Sequence, residues 1–314
     1  MIKLILFRAA SAVPTVFLVG VFSFLLLHIS PGSPAAAILG PRPTPETVAQ
    51  LEADMGLDDP LVQQFGRWIG GAARGDLGES AVSGRPVSEL LWNRVPATLS
   101  IVVASTLFAV VLGIGAGIAA GVWRGSLVDR SLLVGISAGL AIPEFWLGIF
   151  LIELLAVKLA IFPVVSWTPP TRDLSDWAVG LVLPSLSLGL VGAAFIARQM
   201  RRSMIEALES SYVRMLRSIG TPERVIVLRY AAKNGIVPVM TVIGFFVVFL
   251  FGGSLVIERV FSIPGIGTLA LQAVNERDLP LVQGLTLGVA CVVIVVYLVI
   301  DVLTGLVNPK VRPE

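Results

Sequence analysis

The sequence predicts an all-α membrane protein with six transmembrane helices and a small helical extracytoplasmic segment after the first. Three observations predict it. Hydrophobic residues make up 55% of the chain and charged residues 14%, with a mean hydropathy of +0.89, whereas soluble domains carry about 25% charged residues. Segments near 9–29, 97–122, 131–157, 179–197, 235–257 and 282–307 are apolar over the ~20 residues that a ~30 Å hydrocarbon core requires. None shows the period-two alternation of a barrel strand, so the backbone hydrogen bonds are expected to close within helices.

The first span, in residues 1–30, follows Lys3 and Arg8, and small residues come after it in PAAA at 34–37. That layout resembles a secretory signal. The apolar run is long for one and five more spans follow, so it is read as a retained helix. Segment 31–96 is the extracytoplasmic part. Its stretch LEADMGLDDPLVQQFGRWIGGAARGDLGES places Leu51 and Met55, then Leu61, Gln64, Phe65 and Trp68, at helical spacing between Gly, Pro and Asp punctuation. A disordered loop is the alternative, but these leucines and aromatics favour burial. Residues 97–307 form a five-helix core that includes a cytoplasmic loop at 198–233, and 308–314 form a cytoplasmic tail. The loop 158–178, with PVVSWTPPTRDLSDW, suits an interfacial turn. With the N-terminus inside, 14 of the 23 Lys and Arg fall on inner segments, so both termini are expected in the cytoplasm.

Several apparent motifs dissolve on physical grounds. GISAG at 135–139 fits a nucleophile elbow by letters, yet it sits in an apolar helix with no strand before it. Gly113, Gly117 and Gly121, four apart, suggest a smooth groove for a neighbouring helix rather than a dinucleotide loop. None of the four lysines (Lys3, Lys158, Lys233, Lys310) follows a glycine, so no P-loop is present. With only His28 and Cys291, neither a disulfide nor a His/Cys metal cluster is expected, and no catalytic residue is assigned.

Charges inside the spans are Glu144, Glu153 and Asp301. Glu153 and Lys158 are read as snorkelling, and Asp301 as bonded to a neighbouring helix or backbone group. Glu144 follows Pro143 in AIPEFWLG, where proline frees a carbonyl and bends a helix. Two readings stay open. In one, Pro143, Glu144 and Phe145 line a translocation path and Glu144 meets a cationic substrate group; in the other, Glu144 is a neutral acid bonded between helices.

The inner loop is basic: RMLRSIGTPERVIVLRYAAKN sets Arg214, Arg217, Arg224, Arg229 and Lys233 against Glu223 alone. Before it, Met204, Ala207 and Leu208 share a helix face. Gly220 is placed to end a helix in the left-handed conformation. Thr221 as an oxygen cap, Pro222 at the first helical position and Glu223 in the first turn would start the next one. Attraction to anionic lipid accounts for the charge but not for Gly-Thr-Pro-Glu. A gating loop and a docking knob for a separate motor both remain.

GTPERVIVLRYAAKNGIVPV at 220–239 resembles the cytoplasmic coupling loop of ABC importer permeases of the dipeptide/oligopeptide/nickel type. GDLGES at 75–80, RPVSELLWNRVPATLSI at 85–101, IPEFWLG at 142–148, YVRMLRSIG at 212–220, ERVFSIPGIG at 258–267, ERDLPLVQG at 276–284 and DVLTGLVNPKVR at 301–312 extend the resemblance over almost the whole chain. Met215, Leu216, Ile219 and Asn308 depart from that pattern. The resemblance implies a type I permease fold in the inner membrane. Its expected partners are a second homologous permease subunit, two cytoplasmic ATPase subunits that bind ATP and Mg, an extracytoplasmic substrate-binding protein and membrane lipid, with no nucleic acid and no cofactor in this chain. It casts Arg214, Arg217, Gly220, Thr221, Pro222, Glu223 and Arg224 as the ATPase-coupling loop. Arg259, Phe261, Ile263, Pro264 and Gly265 become the binding-protein contact, with Phe261 and Ile263 expected to enter its cleft. Short peptides are the expected cargo; nickel, glutathione or another small ligand is the alternative. A self-sufficient secondary transporter is the competing class, but no clear repeat relates the two halves.

Overall fold

Helices make up nearly all of the regular structure in the computed structural model, which describes residues 2–29, 34–39, 43–54, 56–164 and 167–307. Met55 and the tail 308–314, with Asn308, Lys310 and Arg312, lie outside the described residues, as do the side chains of Lys3, Arg8 and His28. In chain order the helices are α1 (Ile2–Ile29), α2 (Pro34–Leu39), α3 (Pro45–Asp54), α4 (Leu61–Ala72), α5 (Val87–Val122), α6 (Leu127–Ala141), α7 (Glu144–Leu151), α8 (Leu174–Leu208), α9 (Ser211–Ser218), α10 (Glu223–Val225), α11 (Ala232–Val260), α12 (Ile266–Asn275) and α13 (Leu279–Val307). π-helical turns at Ile152–Lys158 and Ile226–Ala231 extend α7 and join α10 to α11. Among the described residues β-pairing is limited to one isolated bridge between Glu79 and Pro86.

Four continuous helical runs are long and apolar enough to cross a bilayer: Val87–Val122, Leu174–Leu208, Glu223–Val260 and Leu279–Val302. The expected span 131–157 is not one rod. Leu127–Ala141 and Glu144–Lys158 meet at 101°. Ile142 and Pro143 are both extended there, with ψ of 124° and 137°; the proline lacks the N–H that would carry the ladder across the break. The first expected span lies within α1, whose described apolar stretch is the shorter Ala10–Leu25.

The chain divides into two compact units, Ala97–Ile263 with the chain from Val296 on, and Ile2–Pro96 with Pro264–Val295. In the first, α8 is the most enclosed of the long helices. Ile196, Met200 and Met204 on one of its faces are fully buried. They fit where α5 has no side chains: a Cβ on Gly117 would lie 2.5 Å from Met200 Cβ and 2.8 Å from the Ala197 carbonyl oxygen, and Gly113 and Gly121 meet Ile196 and Met204 as closely. The groove expected from the glycine spacing is therefore occupied by α8. α6 packs Ile136 against Ala194 and Ala197 of the same helix, while α11 adds Val239, Phe246 and Leu250 to the shared core.

The second unit contains the predicted helical segment. Gln64 of α4 is buried, and its amide donates to the carbonyl oxygens of Leu57 and Asp59 at 2.7 and 2.8 Å. Phe65 stands edge-on to Phe17 and Phe24 of α1, and Trp68 lies beside Phe24. Elsewhere in this unit Val87, Leu91, Ile266, Leu269, Leu281 and Leu285 form a separate core. The fully buried Asp278 accepts hydrogen bonds from the Ser80 hydroxyl and from the Ala81 and Leu281 amides. That pairing satisfies a carboxylate that would otherwise be expensive to bury.

Gly117→Leu is expected to lower stability by roughly 1–3 kcal/mol, because α5 and α8 cannot separate without opening the core. Gly115→Ala, with nothing within 4 Å of the added carbon, is expected to be neutral or slightly stabilising. Thermal unfolding of the two variants in detergent measures the difference.

Candidate functional site

Beyond α8 the chain folds into a small knob. Val213, fully buried, seats α9 against the π-helical segment, whose Ile226 is also fully buried. α9 ends at Gly220, where φ is +77°, a conformation that glycine adopts without strain. The Gly220 amide donates to the Arg217 carbonyl at 3.1 Å and the Thr221 amide to the Leu216 carbonyl at 3.0 Å. This paired closure is a Schellman motif. The restart differs by one residue from the sequence expectation. Pro222, not Thr221, is the cap residue; its carbonyl accepts from the Val225 and Ile226 amides at 2.9 and 3.1 Å, and no side chain caps the helix. Thr221's amide is already committed to the Schellman closure, and Pro222, with ψ of 137°, is extended rather than helical.

Glu223 opens α10 and reaches back across the turn. Arg217 Nη2 and Nε donate to its two carboxylate oxygens at 2.6 and 3.1 Å. The Glu223 hydrogen bonds hold the Arg217 guanidinium above its ordinary range. The pair is about half exposed, and such a pair contributes little to stability. Its consequence is geometric, since it fixes the angle between the two sides of the Gly220 turn. Met215, Ile219 and Leu228 are 63%, 66% and 66% exposed, and Arg214 and Arg224 are also exposed. Apolar side chains of this size left open make the knob a candidate binding surface.

Charge pairs tie the same end of the unit together. Asp129, 3% exposed, caps the turn before α6 through the Gly125 amide and accepts two bonds from Arg201 of α8, at 2.7 and 2.8 Å. Arg124 pairs with Glu209, and the Asn234 amide donates to the Tyr212 hydroxyl at 3.1 Å. Sequence reading missed these pairs because partners 72 and 85 residues apart leave no local pattern.

The second candidate lies at the α6–α7 break. A cavity of about 730 Å³ is walled by Leu140, Val191, Val242, Phe195, Phe245, Phe246 and Phe249, with Pro143 and Glu144 at the break itself. Glu144 is the only ionisable residue lining it. Its carboxylate is half-buried beside Gly253 of α11, with no hydrogen-bond or ion-pair partner among the described residues. Phe145, expected on the same path, does not line the cavity.

The third sequence-predicted site is split. Arg259 is exposed, but Phe261 and Ile263 are each 1% exposed and belong to the hydrophobic core of the first unit. They do not project towards a partner as expected. The Ile263 amide donates to the Glu258 carbonyl at 2.8 Å, and the fully buried Glu258 carboxylate accepts from the Thr98 hydroxyl at 2.6 Å. These bonds, with Ser262 at φ +53°, turn both side chains inward and leave Arg259 and Ser262 facing out. Pro264 and Gly265 open the second unit, where Gly265 precedes α12 as its cap residue.

The family described as binding-protein-dependent transport system inner membrane component matches residues 109–313, and its N-terminal companion matches residues 1–102. The chain is 38% identical over 312 residues to the glutathione transport system permease protein of Escherichia coli strain K12, covering 99% of each chain. It is 36% identical over 312 residues, again 99% of each, to a Brucella abortus protein named as a peptide transport system permease. Among solved structures, an inward-facing form of the methionine ABC transporter MetNI shares the fold with a TM-score of 0.54 at 19% identity. That match covers 70% of this chain and 96% of the other.

Asp129→Ala is expected to cost about 3 kcal/mol, because Arg201 is left with a partly buried, unpaired charge. Replacing both partners, Asp129→Leu with Arg201→Met, is expected to recover stability to within about 1 kcal/mol of the starting protein. Denaturant unfolding of the single and double variants checks both values.

Proposed function

The chain belongs to the family of binding-protein-dependent transport system inner membrane components, and from that premise we propose that it passes short peptides across the inner membrane as one permease subunit of an ATP-driven importer. A second homologous permease completes the pathway. Two cytoplasmic ATPase subunits bind the ATP and Mg that this chain has no P-loop to hold, and an extracytoplasmic binding protein delivers the cargo. Both termini are cytoplasmic in this reading, supported by the 14 of 23 basic residues on the segments it assigns inside.

The observation that carries the proposal is the knob. Its Met215, Ile219 and Leu228 are exposed next to Arg214 and Arg224 on a turn held by Gly220 and by the Arg217–Glu223 pair. Exposed apolar side chains combined with arginines suit a protein groove better than water or lipid headgroups alone. Because Val213 and Ile226 are fully buried, a push on the knob moves α9 with the start of the α10–α11 run rather than bending a loop. α8 joins that motion, and the Asp129–Arg201 pair extends it to α6. ATP and the loaded binding protein then bias inward- and outward-facing states by their different affinities for the two.

Peptide cargo is supported by the name of the Brucella abortus relative, and glutathione, itself a tripeptide, by the name of the Escherichia coli one. At the extracytoplasmic side the binding protein would meet Arg259 and Ser262, with Phe261 and Ile263 serving as buried anchors for that turn.

Met215→Asp combined with Ile219→Asp is expected to weaken co-purification of the ATPase subunits by about tenfold or more, as loss of a central apolar contact does. Both residues are exposed, so folding stability is expected to change by less than about 0.5 kcal/mol. Gly220→Pro, which cannot adopt φ of +77°, is expected to leave ATP hydrolysis running without uptake. Undiminished co-purification of the double variant would contradict the docking role.

A further inference from the structure

We propose that the phenylalanine-walled cavity at the α6–α7 break is a transit site for the cationic amino group of the substrate, with Glu144 as its counter-charge. The inference rests on the peptide-importer reading above and assigns a chemical preference to the permease itself. Three features of the site converge on it.

The first is charge without a partner. Glu144 is the one ionisable side chain on a wall otherwise built from apolar residues, and no described residue hydrogen-bonds or ion-pairs with it. A carboxylate inside a membrane segment is retained when it faces water, a relay or a ligand of opposite charge. The more deeply buried acids Asp129, Asp278 and Glu258 are each matched within the protein, by Arg201, by Ser80 and Ala81, and by Thr98. Glu144 stands apart from that pattern.

The second is the chemistry of the wall. Phe195, Phe245, Phe246 and Phe249 line the cavity, and an aromatic face attracts an ammonium through its quadrupole. Rings and carboxylate together favour a cation on an apolar body and disfavour a second carboxylate. The third is size. About 730 Å³ lies in the range of roughly 300–1,000 Å³ that small-molecule pockets occupy, enough for the head of a short peptide. The break that forms the site also explains its position: Pro143 ends the α6 ladder and starts α7 at Glu144, which sets the carboxylate on the cavity wall.

The test uses the complete transporter in proteoliposomes, with partner permease, ATPases and binding protein, supplied with trialanine bearing a free amino terminus. Glu144→Gln is expected to lower uptake about tenfold, the effect of losing one charge-assisted contact, while ATP hydrolysis stimulated by the loaded binding protein stays within about twofold. Glu144→Asp is expected to restore most of the uptake. N-acetyl-trialanine, offered to the same vesicles, is expected to be insensitive to the Glu144 substitution. Equal uptake of free-amine trialanine by the Glu144→Gln and unmodified complexes would overturn the inference and leave the importer reading standing. If the unmodified complex moved no trialanine although the loaded binding protein stimulated hydrolysis, the peptide reading itself would fall, and this site with it.

Discussion

Met200 can be fully buried because Gly117 has no side chain. The contact between α5 and α8 is the constraint on which the first unit depends. In lipid there is little hydrophobic drive between helices, and association comes from close packing and polar pairing. Three glycines four residues apart let α5 approach the backbone of α8 over two turns, and Ile196, Met200 and Met204 fill the space. With one face of α8 fixed in this way, its other faces are free to meet α6, α7 and α11.

That arrangement makes α8 the element both candidate sites share. Val191 and Phe195 place part of the cavity wall on it, and Arg201, further along, pairs with Asp129. The knob follows directly after its last turn. Between the cavity residues and the start of the knob, α8 is one continuous helix. The α6–α7 break gives the opposite property. It interrupts a helical run with extended residues at Ile142 and Pro143 and opens space beside a carboxyl group. Irregular backbone at such depth is tolerated where it borders a cavity.

Much of this was legible in the sequence. Composition and span length gave the helical class, the glycine spacing gave the groove, and Gly220 gave the end of α9. Local chemistry sufficed in each case. The bend at Pro143 was legible in kind but not in degree, because a proline says where a ladder breaks and not how far the halves turn. The pairs Asp129–Arg201, Thr98–Glu258 and Ser80–Asp278 join residues 72, 160 and 198 apart, and no periodicity reports them. Phe261 and Ile263 were misjudged for a related reason. The resemblance assigned the loop to a partner, and only the hydrogen bond from Ile263 to Glu258 shows that its turn folds back on the core.

On the proposed reading, force from the ATPases enters this chain at the 211–231 knob. Photo-cross-linking tests it most directly. In a Cys291→Ser background, Ile219→Cys is labelled with a benzophenone maleimide in the assembled transporter, and Val82→Cys, exposed in the segment assigned outside, serves as the reference. Illumination is expected to join the Ile219 position to an ATPase subunit, with a yield that changes when ATP is trapped, and to join Val82 to none. Capture of lipid alone at Ile219, or of an ATPase at Val82, would contradict it.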